Sequence, residues 1–255
     1  MQTHFDFRQI QGISLDLDDT LWPIMPVLHK AERVLQAWFE ANFPAVALAY
    51  PAEKMRELRA TVWQQNPDLA HDFTELRRMA LEHAMRPFGC SARDVAAAIE
   101  IVHAARNQVT LFDDALIALP RLSASFPIVA LTNGNADLTR IGLERHFKAN
   151  INAREFGKAK PDIGIFHAAC NALGMAPEHV LHIGDHPEQD VLGAQNAGMS
   201  AVWVNRAQIS WADAQSASQA GEYSRSDPML IEKWRQKHDF FTCAQLTELL
   251  DPLAC

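Results

Sequence analysis

The sequence predicts an α/β protein whose parallel sheet is interrupted, after its first strand, by a bundle of helices. Three observations carry this reading. A short apolar run ending in acid, Gln11 to Asp16 (QGISLD), stands near the N-terminus. A long stretch with helical signals and almost no strand signals follows. From Leu111 the character changes, and strand-like runs alternate with helical segments, the pattern of βαβ units.

QGISLD is short and apolar enough to be a buried strand. Pro26 precedes a helix-like stretch, HKAERVLQAWFEANF. Pro51 opens another, AEKMRELRATVWQQN, where proline suits a helix start. Asp72 with Glu75, and Ser91 with Asp94, have the spacing of capping boxes before LRRMALEHAM and VAAAIEIVHAARN. Together these make a small bundle of about four helices. After Leu111, FPIVALTN, HVLHIGD and MSAVWVN read as strands. Helices are expected near Asp137 to His146, from Asp162 to Leu173 and from Glu188 to Ala197. The polar stretch from Ala207 to Lys237 reads as a surface excursion, and Thr242 as the cap of a last helix in DFFTCAQLTELL. The expected division is an α/β core of residues 1–22 and 110–255, with a helical domain of residues 23–109 between.

Composition narrows the function. The chain has 255 residues, 48% of them apolar, enough for a substantial core, and a formal net charge of −8. Without clustered Lys and Arg, a nucleic-acid backbone is not the expected partner. The cysteines, Cys90, Cys170, Cys243 and Cys255, form no CxxC pair and suit neither a zinc site nor a disulfide framework. No signal-peptide core or membrane-length apolar run is visible, so no membrane partner and a cytoplasmic location are expected. Oligomeric state is left open.

Ligands of open parallel sheets bind at the carboxyl ends of the strands. After ISL come Asp16, Leu17, Asp18, Asp19 and Thr20; after IVAL come Thr132, Asn133, Gly134 and Asn135; after VLHIG comes Asp185, with Asp190 five residues on. Between them lies Lys160-Pro161-Asp162, with Pro161 read as the first residue of a helix. Asp16 and Asp18, two apart in extended chain, share a side and repel unless a cation or proton intervenes. With Asp185 as a third carboxylate, such hard oxygen donors suit Mg2+. Lys160 offers a point charge for phosphate, and Thr132 and Asn133 offer hydrogen-bond donors.

This set, DLDDT, LTN, KPD and GD followed by an Asp, resembles in order and spacing the four motifs of the haloacid dehalogenase superfamily. The resemblance runs from Ile13 to about Asn205, and the helical block sits where that superfamily inserts a cap domain. It implies a doubly wound, Rossmann-like core and a phosphomonoester hydrolase working through an aspartyl phosphate. By the resemblance, Asp16 is the nucleophile and Asp18 the general acid and then base. The Asp16 carboxylate, Asp18 backbone carbonyl and Asp185 carboxylate hold Mg2+. Lys160 and Thr132 stabilise phosphoryl charge with help from Asn133, and Asp190 orients Lys160 or a metal water. Asp18 favours phosphoryl transfer over dehalogenation, since a halide leaving group needs no proton and an alkoxide does.

The motif forms resemble a subgroup of phosphatases for flavin mononucleotide and for the phosphorylated pyrimidine intermediate of riboflavin synthesis. Alternatives are a sugar-phosphate phosphatase, a phosphomutase, or a binding or regulatory protein on a retained fold. Asp190 has a plainer reading as a helix cap, Thr20 as a brace of the motif loop, and His182 as a core residue. Asp19 stands where many relatives have glycine. A direct role of His186 stays open, and Trp22, directly after the first motif, is the tryptophan worth testing.

Overall fold

The structure, a computed structural model, describes residues 7–211, 213 and 240–254. In chain order, β1 (Gly12–Leu15) is followed by α1 (Ile24–Asn42), α2 (Pro44–Ala49), α3 (Ala52–Gln65), α4 (Phe73–Met85) and α5 (Ala92–Arg106). Then come α6 (Asp113–Ser125), β2 (Ile128–Thr132), α7 (Leu138–Ile141), β3 (Ala149–Asn152), α8 (Ala153–Phe156) and α9 (Ile163–Leu173). Last come β4 (Val180–Gly184), a π-helical turn (Pro187–Leu192), α10 (Gly193–Asn196), β5 (Ser200–Val204) and β6 (Phe241–Cys243).

Two compact units result. One comprises the described residues up to Trp22, Leu111–Asn133 and the described residues from Gly142 onward. The other comprises Pro23–Thr110 and Gly134–Ile141.

In the first unit the strands form one parallel sheet in the order β3-β2-β1-β4-β5-β6. Strands β1, β2 and β4 are buried along their whole length, which is why they read as continuous apolar runs rather than alternating ones. The chain winds outward from β1 to one side and from β4 to the other. The topological switch therefore lies between β1 and β4, whose register pairs Leu15 with Ile183. One face of the sheet is filled by Ile165, Phe166, Ala169 and Leu173 of α9 against Val129, Leu131, Val180 and Ala201.

The second unit packs α1, α4 and α5 around Leu35, Phe39, Leu81, Met85, Ala98 and Val102. The Ser91–Asp94 capping box is complete: the Ser91 hydroxyl accepts from the Asp94 backbone N–H, and the Asp94 carboxylate from the Ser91 N–H. At α4 only half of the box is seen. Asp72 accepts from Glu75 N–H at 2.9 Å, while the Glu75 side chain turns to Arg78.

Several expectations are corrected. Residues 134–141, read as part of the α/β core, pack with the helices. Asp137 N–H donates to Asn107 Oδ1 (2.8 Å), Asn135 Nδ2 to Thr74 Oγ1 (3.2 Å), and Arg140 pairs with Glu100 (2.6 Å). The helix expected from Asp137 to His146 is broken at Gly142, whose φ is +83°, into α7 and a 3₁₀ turn, Glu144–His146. Pro161 is not the first helical residue; Asp162 caps α9 by accepting from Gly164 N–H at 2.8 Å. Thr242 caps no helix. It lies in β6 opposite Trp203, because the open edge of β5 takes up Phe241–Cys243, and a 3₁₀ turn capped by Gln245 follows. Strand β3 and helix α6 were not foreseen. Strand β3 is a half-buried edge with no apolar run, and α6 carries Pro120 in its interior. The excursion read at 207–237 lies largely outside the described residues.

Candidate active site

The strand ends on either side of the switch point bring the acidic residues together. Asp16 leaves the end of β1, its N–H bonded to the Ile183 carbonyl of β4 at 2.9 Å. Asp185 leaves the end of β4, and the Trp203 indole N–H holds its carbonyl at 2.9 Å. Asp190 projects back from the π-helical turn. Gly184 makes this approach possible: a Cβ there would stand 2.3 Å from Asp190 Cγ.

Lys160 is the hub. Its Nζ donates to Asp16 Oδ1 (2.6 Å), Asp190 Oδ1 (2.5 Å) and the Leu131 carbonyl (2.9 Å), using all three ammonium hydrogens. Its backbone is clamped by Asn133, whose Oδ1 accepts from Lys160 N–H (2.7 Å) and whose Nδ2 donates to Lys160 O (3.0 Å) and Gln189 Oε1 (2.9 Å). Asp190 also meets His182 Nε2 (3.0 Å) and accepts from His186 N–H (2.9 Å). His182 in turn meets Ser14 Oγ through Nδ1 (3.0 Å). His186 caps the turn, its Nδ1 accepting from Glu188 and Gln189 N–H at 3.2 Å each.

The first motif loop is braced from both sides. Thr20 Oγ1 lies 3.2 Å from Asp16 Oδ2 and 3.2 Å from Asp185 Oδ1. Asp18 accepts from Trp22 Nε1–H at 2.8 Å. Asp19 has φ +56°, in the left-handed region where glycine is at ease. Thr132 is buried at the end of β2, paired in register with Asn152.

Electrostatics follow from this crowding. Burial raises the Asp16 carboxyl to about 7, against Lys160, with Asp190 and Asp18 adding to the rise. Burial, then Asp16, Asp190 and Asp19, push Asp185 well above its usual range. Burial alone would also raise Asp190, but Lys160 and the imidazole of His182 hold it far below. Burial would lower Lys160, yet Asp16 and Asp190 outweigh it, and the ammonium stays charged.

Asp16, Asp185 and Asp190 each offer a carboxylate oxygen within 4.8 Å of the others, a cluster that could hold a metal ion. The donor chemistry fits a hard divalent cation. A single ammonium answers three carboxylates, and the one hydroxyl hydrogen of Thr20 serves only one of its two acceptors at a time. Asp190 has both oxygens engaged by protein donors, which leaves Asp16 and Asp185 as the pair in need of positive charge. The carboxylate of Asp18 stands outside this cluster.

The sequence model described as haloacid dehalogenase-like hydrolase matches residues 10–198. The chain belongs to this hydrolase family. Among curated relatives of the family, 5-amino-6-(5-phospho-D-ribitylamino)uracil phosphatase YigB of Escherichia coli is 32% identical over 211 residues, 80% of this chain and 87% of that one. Glyceraldehyde 3-phosphate phosphatase of Methanopyrus kandleri is 28% identical over 207 residues, 77% and 84% of the two chains. Among solved structures, 2-haloacid dehalogenase from Pseudomonas syringae superposes with a TM-score of 0.79 at 29% identity, covering 96% of this chain and 98% of that one. The riboflavin-precursor resemblance of the motif forms is thus matched by a relative across most of the chain. Among the described residues, no helix of this family member is long and apolar enough to cross a membrane.

Some site residues were invisible in the sequence. Arg206 donates to the Thr20 carbonyl (2.7 Å), pairs with both oxygens of Asp114 and lies 3.8 Å over the Phe112 ring. Gln189, Ser14 and Trp203 likewise act only through tertiary contact. His182 was read as core; it is fully buried, but as a partner of Asp190.

Proposed function

We propose that this phosphoric monoester hydrolase uses Mg2+ and an aspartyl-phosphate intermediate, and that its substrate is a small phosphorylated metabolite of the ribitylaminopyrimidine kind. The observation that carries the reading is the Lys160 hub. A buried, fully hydrogen-bonded ammonium holds Asp16 at the carboxyl end of β1, with carboxylate oxygens of Asp185 and Asp190 within 4.8 Å.

Asp16 attacks phosphorus in line as the nucleophile. Its Oδ1 is held by Lys160, which fixes the direction of the carboxylate and keeps a positive charge where phosphoryl charge collects. Asp18 gives a proton to the leaving oxygen and later takes one from the attacking water. Thr132 is the side-chain donor at the phosphoryl oxygens, while the Asn133 amide, already bonded to Lys160 and Gln189, serves by holding the Lys160 backbone in place. Asp190 orients Lys160. Mg2+, when bound by the Asp16 and Asp185 carboxylates and the Asp18 backbone carbonyl, supplies positive charge beside the transferring group. The helical unit, Pro23–Thr110 with Gly134–Ile141, is the cap that selects substrate.

The substrate class rests on the YigB relative and on this chain's own motif forms. A sugar-phosphate or triose-phosphate substrate is the second reading, favoured by the Methanopyrus kandleri relative. Dehalogenation, the activity named for the Pseudomonas syringae protein, is not preferred, because Asp18 supplies a proton that a departing halide has no use for. A panel assay decides. Phosphate release is measured from the phosphorylated ribitylaminopyrimidine, flavin mononucleotide, glyceraldehyde 3-phosphate, hexose phosphates and nucleotides, beside halide release from 2-chloropropionate. Highest kcat/KM on the pyrimidine supports the reading. Halide release without phosphate release overturns it.

A further inference from the structure

We infer that Trp22 is a positioning residue for the proton transfer, sorting the two oxygens of Asp18 so that Oδ2 is the one that carries the proton. The inference rests on the reading of Asp18 as proton donor and goes beyond it.

The indole nitrogen of Trp22 donates to Asp18 Oδ1 at 2.8 Å. An indole N–H is a donor and never an acceptor, so the oxygen it meets cannot also point a proton at it. The bond therefore favours Oδ2 as the oxygen that carries the hydrogen, because a carbonyl oxygen accepts the N–H better than an acid hydroxyl does. Trp22 is fully buried, and an indole N–H left there without an acceptor would lose its hydration unreplaced, which holds the pair together.

The loop is closed by its backbone independently of this bond. Leu21 N–H bonds the Leu17 carbonyl at 2.8 Å, Asp19 N–H bonds the Trp22 carbonyl at 2.8 Å, and residues 18 and 22 form a β-bridge. Leu17 and Leu21 are fully buried on either side. The indole is thus presented to Asp18 from a fixed frame, and the rotation of the Asp18 carboxyl group is restricted from outside the reacting atoms.

An Asp16 oxygen bonds phosphorus while the bond from phosphorus to the leaving oxygen breaks, taking its electron pair. The Oδ2 proton of Asp18 passes to that oxygen and gives the free alcohol. Water then bonds phosphorus and the bond to Asp16 breaks. The water's proton returns to Asp18, and inorganic phosphate leaves.

The test is leaving-group dependence. Trp22→Phe removes the N–H and keeps a buried ring. With Mg2+ present, kcat/KM is compared for phenyl phosphate, whose leaving group needs a proton, and 2,4-dinitrophenyl phosphate, whose leaving group does not. Trp22→Phe should lose about tenfold or more on the phenyl ester and under about threefold on the dinitrophenyl ester. Leu21→Val, an equally buried neighbour without a donor, should affect both esters alike. Asp18→Asn is the reference and should show the same selectivity, more strongly. An even fall on both esters in Trp22→Phe, or none on either, with Asp18→Asn selective, overturns the inference and leaves the reading of Asp18 standing. An even fall in Asp18→Asn removes the proton-donor reading itself, and the inference with it. Trp22→Met repeats the comparison if the Phe variant does not fold.

Discussion

Lys160 holds its charge with 2% of its side chain exposed, between Asp16 and Asp190, whose side chains are 8% and 2% exposed. Such a group stabilises the fold only as long as its partners are present. Lys160→Met leaves two buried carboxylates facing each other, and stability should fall by about 3–5 kcal/mol in urea unfolding without divalent ions. A loss below about 1 kcal/mol would mean that the ammonium is not the keystone that its bonds describe. Asp16→Asn behaves differently. Its carboxyl is already pushed by burial toward the neutral form, so a neutral amide should leave the melting temperature unchanged or higher in metal-free protein. Turnover should vanish, and label from an acid-quenched phosphorylation should be found on Asp16 in the parent protein. Label on another residue rejects the mechanism.

Gly184 closes β4 and leaves the space into which Asp190 returns from the π-helical turn. Gly184→Ala puts a methyl group 2.3 Å from Asp190 Cγ, so the carboxylate must move away from Lys160 and His182. Stability should fall by about 1–3 kcal/mol, as for an overpacked core. Turnover of an aryl phosphate should fall further than that loss explains, measured on the folded fraction at low temperature. Full activity would show that Asp190 does not place Lys160. In the helical unit the complete capping box at Ser91 makes an opposite case. Ser91→Ala should cost about 1 kcal/mol of stability and leave kcat/KM for a minimal aryl phosphate within about twofold.

For the molecule as a whole, the cluster of Asp16, Asp185 and Asp190 could hold a metal ion, and the proposed reading makes it a divalent cation. Chelation should abolish turnover and lower the melting temperature, and Mg2+ at a hundredfold excess over its Kd should return about 2.7 kcal/mol. Asp185→Ala should weaken that return while leaving the metal-free protein at least as stable, because burial and three neighbouring carboxylates already penalise its charge. Full activity in excess chelator would reject the site assignment. The units also set how substrate selection is tested. The chain passes between them at four places, not the two expected near Trp22 and Leu111, so an exchange of the helical unit must carry Gly134–Ile141 with Pro23–Thr110. Such an exchange should reorder the substrate ranking while a minimal aryl phosphate keeps its rate within about tenfold, roughly 1.4 kcal/mol in barrier. A fixed ranking with all rates lowered would place recognition in the loops of the α/β unit.

The α/β class, the inserted helices and the acidic strand ends are legible in the order of residues alone. Burial on both faces forces β1, β2 and β4 into apolar runs, and a ligand at the strand ends forces polar residues to follow them. These are local constraints, written in consecutive residues. Strand β6 has no such signature, since its pairing depends on the free edge of β5, and residues 134–141 reach the helices through hydrogen bonds to Asn107 and Thr74 and an ion pair with Glu100. The same holds within the site. Asp16, Lys160 and Asp190 could be named from their motifs, but their meeting at one ammonium, 144 and 30 residues apart along the chain, could not. Nor could the hold of His182 on Asp190, of Trp22 on Asp18, or of Arg206 on the Thr20 carbonyl. A side chain's type is fixed by the gene, whereas its hydrogen-bond partner is fixed by which strand ends the sheet order places side by side, and only the folded sheet decides that.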